Sequence, residues 1–455
     1  MKKKIYLALA VWVSGTCLSA AENINDWVTN GKAYGEVKYY YIQTDKNDDA
    51  TSLNSSASAN SLGGQLGYKT GSLYGLEAQV TFMTTNGFLL PGSVDTSILG
   101  RDNGVREEGN PSGKIAQEAF SVLGEANIKY TYNNLDINYG RQVVKTPLVN
   151  AKQVRMLPSA VEGSIAHAKF NDLVLSAAWL DRFKQRTSNK FIDMQKHALG
   201  DQTKEVTGHN GGDLYFAALT YKNESLKAKL YDYYAPDFIN SIVFNINGTF
   251  KTDTSIKYSY GFEYIKQNSI GNADTNLAKA GSATNGQKID VNAFSLKLAA
   301  KYKESGFLLA YSNIARASSK HDSLVLPWDG TPLYTNMITS NDLFQSNYGK
   351  ALNADSAYIG GTQGFKLGYT QTYDFTGMKG FKSVLSFARY DNDRADYKNA
   401  QQDYNIVLAY AVKPAFSLAL KGIYVQNNTA FSAATDSVKQ IDTLTQYRVI
   451  ATYKF

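Results

Sequence analysis

Residues 255–266 read SIKYSYGFEYIK, with apolar and aromatic residues at every second position. Ile256, Tyr258, Tyr260, Phe262 and Tyr264 share one face, and Lys257, Ser259, Gly261 and Glu263 share the other. Successive side chains of a β-strand point to opposite faces, so this pattern predicts a strand with one apolar and one polar face. The unit, about ten residues long, recurs to the end of the chain. Residues 74–84 set Leu76, Ala78, Val80 and Phe82 against Glu77, Gln79 and Thr81. Residues 291–303 set Phe294, Leu296, Leu298, Ala300 and Tyr302 against Ser295, Lys297, Ala299 and Lys301. The last segment sets Tyr447, Val449, Ala451, Tyr453 and Phe455 against Arg448 and Lys454.

Repeating this reading along the chain predicts strands near 33–43, 61–69, 74–84, 119–132, 135–142, 159–170, 173–182, 213–222, 226–234, 241–250, 255–266, 291–303, 306–313, 356–372, 381–390, 402–411, 416–426 and 443–455, about eighteen in all. Short turns, such as Asn133-Asn134, Asn171-Asp172, Asn223 to Ser225 and Glu304-Ser305, alternate with long polar loops. An even strand count with one tight rim, one elaborate rim and aromatic strand ends describes an all-β, transmembrane antiparallel barrel. A soluble sandwich would also alternate, but its apolar faces need a second apolar layer, and loops beyond about 15 residues suit it poorly. The 32 tyrosines gather near strand ends, as interfacial girdles do.

Of the 455 residues, 43% are hydrophobic and 19% charged. Past the first twenty, no stretch approaches the roughly 18 consecutive apolar residues of a spanning helix. Lys2, Lys3 and Lys4 precede an apolar run from Ile5 to about Cys17, and Ser19, Ala20 and Ala21 form a cleavage site before Glu22. Residues 1–21 are therefore read as a signal peptide and 22–455 as one barrel domain, exported to the outer membrane of a Gram-negative cell. Ser14 and Thr16 do not fit a lipoprotein site around Cys17, the one cysteine of the chain. Removing the three leader lysines from 47 basic residues leaves 44 against 40 acidic ones, a net charge of +4. That mild balance does not call for nucleic acid, and no nucleic-acid-binding motif accompanies it. Only about eleven residues separate the cleavage site from the first strand, too few for the plug of an energised transporter.

Enzymatic readings find little support. His167, His197, His209 and His321 lack metal-ligand spacing, and no Gly-x-Ser-x-Gly elbow or phosphate-cradling glycine loop occurs. No metal, cofactor or catalytic residue is expected. The informative feature is the polar face, which in a barrel of this kind lines the lumen. Opposite the apolar stripe fall Lys38, Lys129, Arg182, Lys227, Lys229, Lys257, Lys297, Lys301, Lys366, Lys421 and Arg448, against fewer acids, Glu36, Glu77, Glu125, Asp136 and Glu263. A low-dielectric wall focuses the field of such cations and favours anions. Some of these cations could instead sit at a rim, solvated or bound to lipid phosphate.

Two connections carry a further signal. Residues 140–163 read GRQVVKTPLVNAKQVRMLPSAVEG, and residues 326–336 read LPWDGTPLYTN. The Gly-Arg, Pro and Arg-x-Leu-Pro elements of the first resemble the third loop of the OprD family of substrate-specific outer-membrane channels. The leader, length, strand number and C-terminal aromatic are also similar to that family. The resemblance implies loops folded into the pore, a narrow eyelet and a basic track that leads carboxylate-bearing solutes inward by passive diffusion. It places Arg141, Arg155, Arg182 and Arg389 on that track, which Lys152 of the same loop is expected to join, while Lys129, Lys257, Lys297 and Lys301 are the lumen-facing cations expected from strand parity. Arg141 shares parity with Leu135, Ile137 and Tyr139, and Arg389 shares it with Phe381, Leu385 and Phe387, so their facing stays open at this level. Asp329 and Asp342 are candidates for an acidic eyelet group by position alone. Expected partners are small polar or carboxylate solutes, outer-membrane lipid and lipopolysaccharide, and the barrel-assembly machinery through Phe455. The protein is expected to be a monomer or a trimer. The alternatives are a general diffusion porin and a non-conducting surface adhesin or structural barrel.

Overall fold

A computed structural model describes residues 23–48, 53–88, 98–100, 118–151, 154–199, 211–250, 254–279, 288–317, 321–338, 358–393, 397–432 and 437–455. The predicted leader with Cys17, and Lys152, His209 and Asp342, lie outside the described residues. The alternating segments form nineteen strands: β1 (Lys32–Asp48), β2 (Leu53–Lys69), β3 (Leu76–Gly87), β4 (Phe120–Tyr132), β5 (Leu135–Gln142), β6 (Ala160–Phe170), β7 (Leu173–Lys184), β8 (Ile192–Asp193), β9 (Leu214–Lys222), β10 (Leu226–Ala235), β11 (Ile239–Phe250), β12 (Ile256–Ser269), β13 (Asp290–Tyr302), β14 (Ser305–Ile314), β15 (Thr362–Thr372), β16 (Phe381–Asp393), β17 (Tyr397–Lys413), β18 (Phe416–Ser432) and β19 (Ser437–Lys454). β8 only adds two residues beside the end of β7, which pairs directly with β9. The other eighteen are antiparallel neighbours in chain order, and β1 pairs with both β2 and β19, from Glu36↔Lys454 to Asn47↔Thr443. The sheet therefore closes on itself and has no edge strand, which satisfies the backbone donors and acceptors that an open edge would leave bare.

The two rims differ as predicted. One carries short connections such as 133–134, 171–172, 303–304 and 414–415; the other carries 88–119, 143–159, 185–213, 270–289 and 315–361. Five strands exceed their predicted lengths by five residues or more. β1, β2, β17 and β18 have 17 residues and β19 has 18, well beyond the roughly 9–11 needed to span a bilayer. Residues 45–60, read from sequence as a polar loop, are largely a paired hairpin, with Asp45↔Ser56 and Asn47↔Asn54 in register. Polar residues past the membrane level erase the hydrophobic alternation without ending the backbone ladder. β15 conversely starts at Thr362, later than position 356.

The outward face is apolar and exposed: Leu66, Ile128, Leu298, Phe307, Leu367 and Leu420 all stand open. Left in water, that face would forgo about 25 cal/mol for each Å² of apolar surface that lipid can cover. Aromatic pairs ring the short-turn rim, among them Phe307 with Tyr369, Phe381 with Tyr410 and Tyr453 with Phe455. The inward face packs instead against loops, and the largest buried cluster joins Val149, Phe183, Tyr233, Trp328 and Tyr390 from loops and wall.

Gly140 permits the wall to turn inward just before loop 143–159. Its φ is +118°, and an added Cβ would collide with the Ala126 carbonyl oxygen and lie 3.0 Å from the Asn127 Cα. Gly140→Val is expected to lower stability by about 1–3 kcal/mol, because strain and overpacking act together on rigid backbone. The measurement is the temperature at which the heat-modifiable folded band on a gel is lost, and an unchanged temperature would contradict this account.

Candidate functional site

Loop 143–159 crosses the lumen. The Leu148 amide donates to the Tyr233 hydroxyl on β10 at 3.4 Å. Toward the other wall, Lys38 and Tyr40 of β1 donate to the carbonyls of Met156 and Val154 at 3.1 and 3.2 Å. The described part of loop 315–361 fills the neighbouring sector. The Leu333 amide donates to Glu263 Oε1 at 2.7 Å, the Tyr334 amide to Ser295 Oγ at 3.0 Å, and Tyr390 and Lys366 donate to the carbonyls of Thr335 and Asn336, each at 2.6 Å. Ile338 reaches Asn405 on β17. The first loop therefore bears on β1 and β10, and the second on β12, β13, β15, β16 and β17.

Asp329 locks the loops to each other. It accepts from Ser159 Oγ at 2.5 Å on the first loop and from Arg186 Nη1 at 2.9 Å on loop 185–213. The Asn150 amide donates to the Trp328 carbonyl at 3.0 Å, and the Trp328 indole donates to the Met194 carbonyl at 3.0 Å. Asp329 is therefore a buried structural acid, and its charge is met by protein groups before any solute arrives. His197 lies 3.1 Å from the Pro327 carbonyl and against Phe183, while His167 meets Ser176, so both rings have protein partners.

A group of cations gathers where the first loop meets β18, β19 and β1. Lys38 and Glu36 form an ion pair at 2.8 Å on β1. Lys421 on β18, Arg448 on β19 and Arg155 on the first loop stand close enough to interact electrostatically with Lys38 or Tyr40. Arg448 Nε donates to Gln446 at 2.6 Å. Arg155 is only 9% exposed, yet its Nε and Nη1 lack a hydrogen-bond partner among the described residues. A second patch lies on β11 to β13. Asn245 donates to Glu263 and to Tyr334, Tyr334 donates to Asn247, and the Lys297 ammonium sits 4.5 Å from the Tyr334 ring centre. The Tyr334 phenol is pushed up to about 12, first by burial and then by the Glu263 carboxyl, so it stays a neutral donor.

Not every expected track residue faces the lumen. Lys129, Lys257, Lys297 and Lys301 keep the inward parity, Lys297 and Lys301 in register with Gly261 and Lys257. Arg155 is carried by the first loop to the neighbourhood of Tyr40 and Lys421. Arg182 does not face inward: the ladder shifts between Glu162 and Gly163, opposite Arg182 and Leu180, so Asp181 is an extra residue. One inserted residue reverses the facing of all that follow. Leu180 and Phe183 are accordingly buried inside, while Arg182 is half-exposed on the outer side and pairs with Asp181 at 3.3 Å. Arg389 also faces outward, in register with exposed Phe365, and its guanidinium is held by Asp391 at 2.8 Å. Arg141 continues the outward row of Ile137 and Tyr139 and pairs with Glu162 at 3.1 Å, beneath the Phe191 ring. Sequence reading had no means of finding Arg186, Ser159 and Tyr40 as loop partners, since each contact joins positions more than 100 residues apart.

Removing the Asp329 carboxylate would strand the half-paired Arg186 and free both loops. Asp329→Ala is expected to cost about 3 kcal/mol of local structure and to raise single-channel conductance and current noise while the barrel still folds. Unchanged conductance in planar bilayers would show that the tie does not set the aperture.

Residues 25–455 match the family described as outer membrane porin, OprD family. No curated protein matches the sequence. Among solved structures, the fold is similar to OccK9 (OpdG) of Pseudomonas aeruginosa, with TM-score 0.71 and 13% identity over 94% of this chain and 99% of that one. It is similar to OccAB4 of Acinetobacter baumannii, with TM-score 0.67 and 17% identity over 95% and 100% of the two chains. It is also similar to OpdK of Pseudomonas aeruginosa, solved with vanillate, with TM-score 0.67 and 12% identity over 94% and 99%. At these identities the likeness concerns the fold.

Proposed function

Since this chain belongs to the OprD family of outer membrane porins, we propose that its channel admits small polar solutes bearing a carboxylate, passively and down their gradient. The observation that carries the reading is Arg155, nine-tenths buried on the first loop with two guanidinium nitrogens lacking a partner among the described residues. Buried donors without acceptors are disfavoured by about 1–3 kcal/mol each, and a carboxylate oxygen supplies the missing acceptor with charge assistance. Lys38, Lys421 and Arg448 add positive potential around it, while Asp329 and Glu263 are engaged by protein donors. Such a wall binds an anion without trapping it, because neighbouring cations offer similar sites along the way. That one similar structure holds vanillate, itself a carboxylate, is consistent with this chemistry. The loop-narrowed lumen argues against a general diffusion porin, whose passage would be wide. The exposed C-terminal Phe455 remains our candidate for the assembly signal, and an N-terminal leader remains our reading of residues 1–21.

The reading is tested by the reversal potential under a salt gradient in planar bilayers, with carboxylates and then basic amino acids added. The parent channel should prefer anions and be blocked by carboxylates. Arg155→Ala should weaken that block about tenfold, the ~1.5 kcal/mol of one charge-assisted hydrogen bond, and leave heat-modifiable folding intact. Lys297→Gln should reduce anion preference independently. Block by basic amino acids alone, or an Arg155 variant indistinguishable from the parent, would overturn the carboxylate assignment.

A further inference from the structure

The limb of the first loop that bears Arg155 is held at more points than β1 provides. The Tyr40 hydroxyl and the Lys38 ammonium bond the carbonyls of Val154 and Met156, one on either side of Arg155. Beyond them the Pro158 carbonyl accepts from Lys184 Nζ, at the end of β7, at 3.1 Å. The next amide, that of Ser159, donates to the Ala151 carbonyl at 2.8 Å, and the Ala151 amide donates to the Val144 carbonyl at 2.8 Å, which closes the neck of the loop. The limb is thus slung between two strands, β1 and β7, with the buried Met156 and Leu157 between its anchors. Proline at 158 stiffens the link, because its ring fixes φ.

Lys184 is fully buried, and its ammonium also donates to the carbonyls of Gln185 and Ser188, at 3.0 and 3.3 Å, where loop 185–213 leaves the strand. An ammonium has three donors, and here they meet three carbonyl oxygens, one from the first loop and two from the other. The Phe120 ring centre lies 6.0 Å from the charge and favours it electrostatically. Burying an ammonium carries a desolvation penalty that a neutral donor avoids, so a turn that needed only closing would be served as well by amides. What the ammonium adds is one point shared by two loops: the Pro158 carbonyl moves only if Gln185 and Ser188 move with it. Asp329 joins the next residue of each loop, Ser159 and Arg186. We propose that Lys184 is the positioning residue for Arg155: by fixing the far end of the limb, it fixes the direction in which the guanidinium meets a solute carboxylate. This role rests on the carboxylate reading of the channel, and Lys184 itself, shut off from solvent, touches no solute.

The test measures carboxylate block of single channels in planar bilayers for the parent and for Lys184→Met, which keeps a stem of similar length and removes the ammonium. Lys184→Met should weaken block by about three- to tenfold, no more than Arg155→Ala does. Added to Arg155→Ala, it should weaken block no further, because a residue that acts through Arg155 then has nothing to position. Each variant should keep the heat-modifiable folded band. If Lys184→Met fails to fold, Lys184→Gln, which leaves an amide donor among the carbonyls, takes its place with the same expectations. A parent that carboxylates do not block would overturn the carboxylate reading and this role with it. A parent that is blocked, beside a folded Lys184 variant blocked equally well, would overturn the role alone. So would a Lys184 variant whose loss adds in full to that of Arg155→Ala, the mark of a general loosening of the pore.

Discussion

Hydrocarbon offers no hydrogen-bond partner, so each membrane-spanning strand must find both of its neighbours within the chain. The pairing of β1 with β19 is the step that meets this requirement, because it joins the last strand to the first and removes the edges. Everything else follows from closure. A closed sheet has an outside and an inside, and the two-residue period of a strand assigns every side chain to one of them. Ile256, Tyr258, Tyr260 and Tyr264 on β12 go to lipid for the same reason that Lys257 and Glu263 go to the lumen.

The lumen then has a problem of its own. An interior lined by lysines and arginines repels itself unless acids, water or loops intervene. Here the loops intervene unevenly. Asp329 is matched by Arg186 and Ser159, and Glu263 by the Leu333 amide and Asn245, so on that side charge and backbone are balanced and the loops are fixed. Around Lys38, Lys421, Arg448 and Arg155 a single neighbouring carboxylate, Glu36, is described. On the proposed reading, that difference separates a charge used to hold structure from one, such as Arg155, that serves a passing solute. Only the first kind could be replaced by an apolar contact of the same shape without changing what the channel selects.

This division also explains what could be read from the sequence. Alternation is local, so the barrel, its strand number and the inward parity of Lys257, Lys297 and Lys301 were legible residue by residue. Two kinds of information were not. A bulge such as Asp181 leaves no mark in the hydrophobic pattern, yet it moves Arg182 from the inner face to the outer. Strand extension past the membrane, as in β1 and β19, hides behind polar residues that look like loop. The loop ties are non-local: nothing near Asp329 in the chain announces Arg186, although Trp328 and Tyr334 lie in the stretch whose composition already stood out.

The misplaced arginines teach more than a parity error. Arginine is costly in hydrocarbon, so on the outer wall it is confined to the rim, just as in the lumen it is confined to sites where water or a solute can reach it. Arg389 and Arg155 therefore obey one rule under two geometries. Outside, Arg389 is half-exposed and already paired with Asp391 on its own strand, which neutralises it at the lipid boundary. Inside, Arg155 is carried on a loop, buried and, among the described residues, incompletely paired, with other cations nearby that raise its demand for an acceptor. Burial without a full set of partners is the distinguishing quantity, and composition alone does not contain it. It arises only when loop 143–159 is pressed against β1 by the Lys38 and Tyr40 hydrogen bonds, so on the proposed reading selectivity is a property of loop packing imposed on a wall whose charge alternation had already supplied.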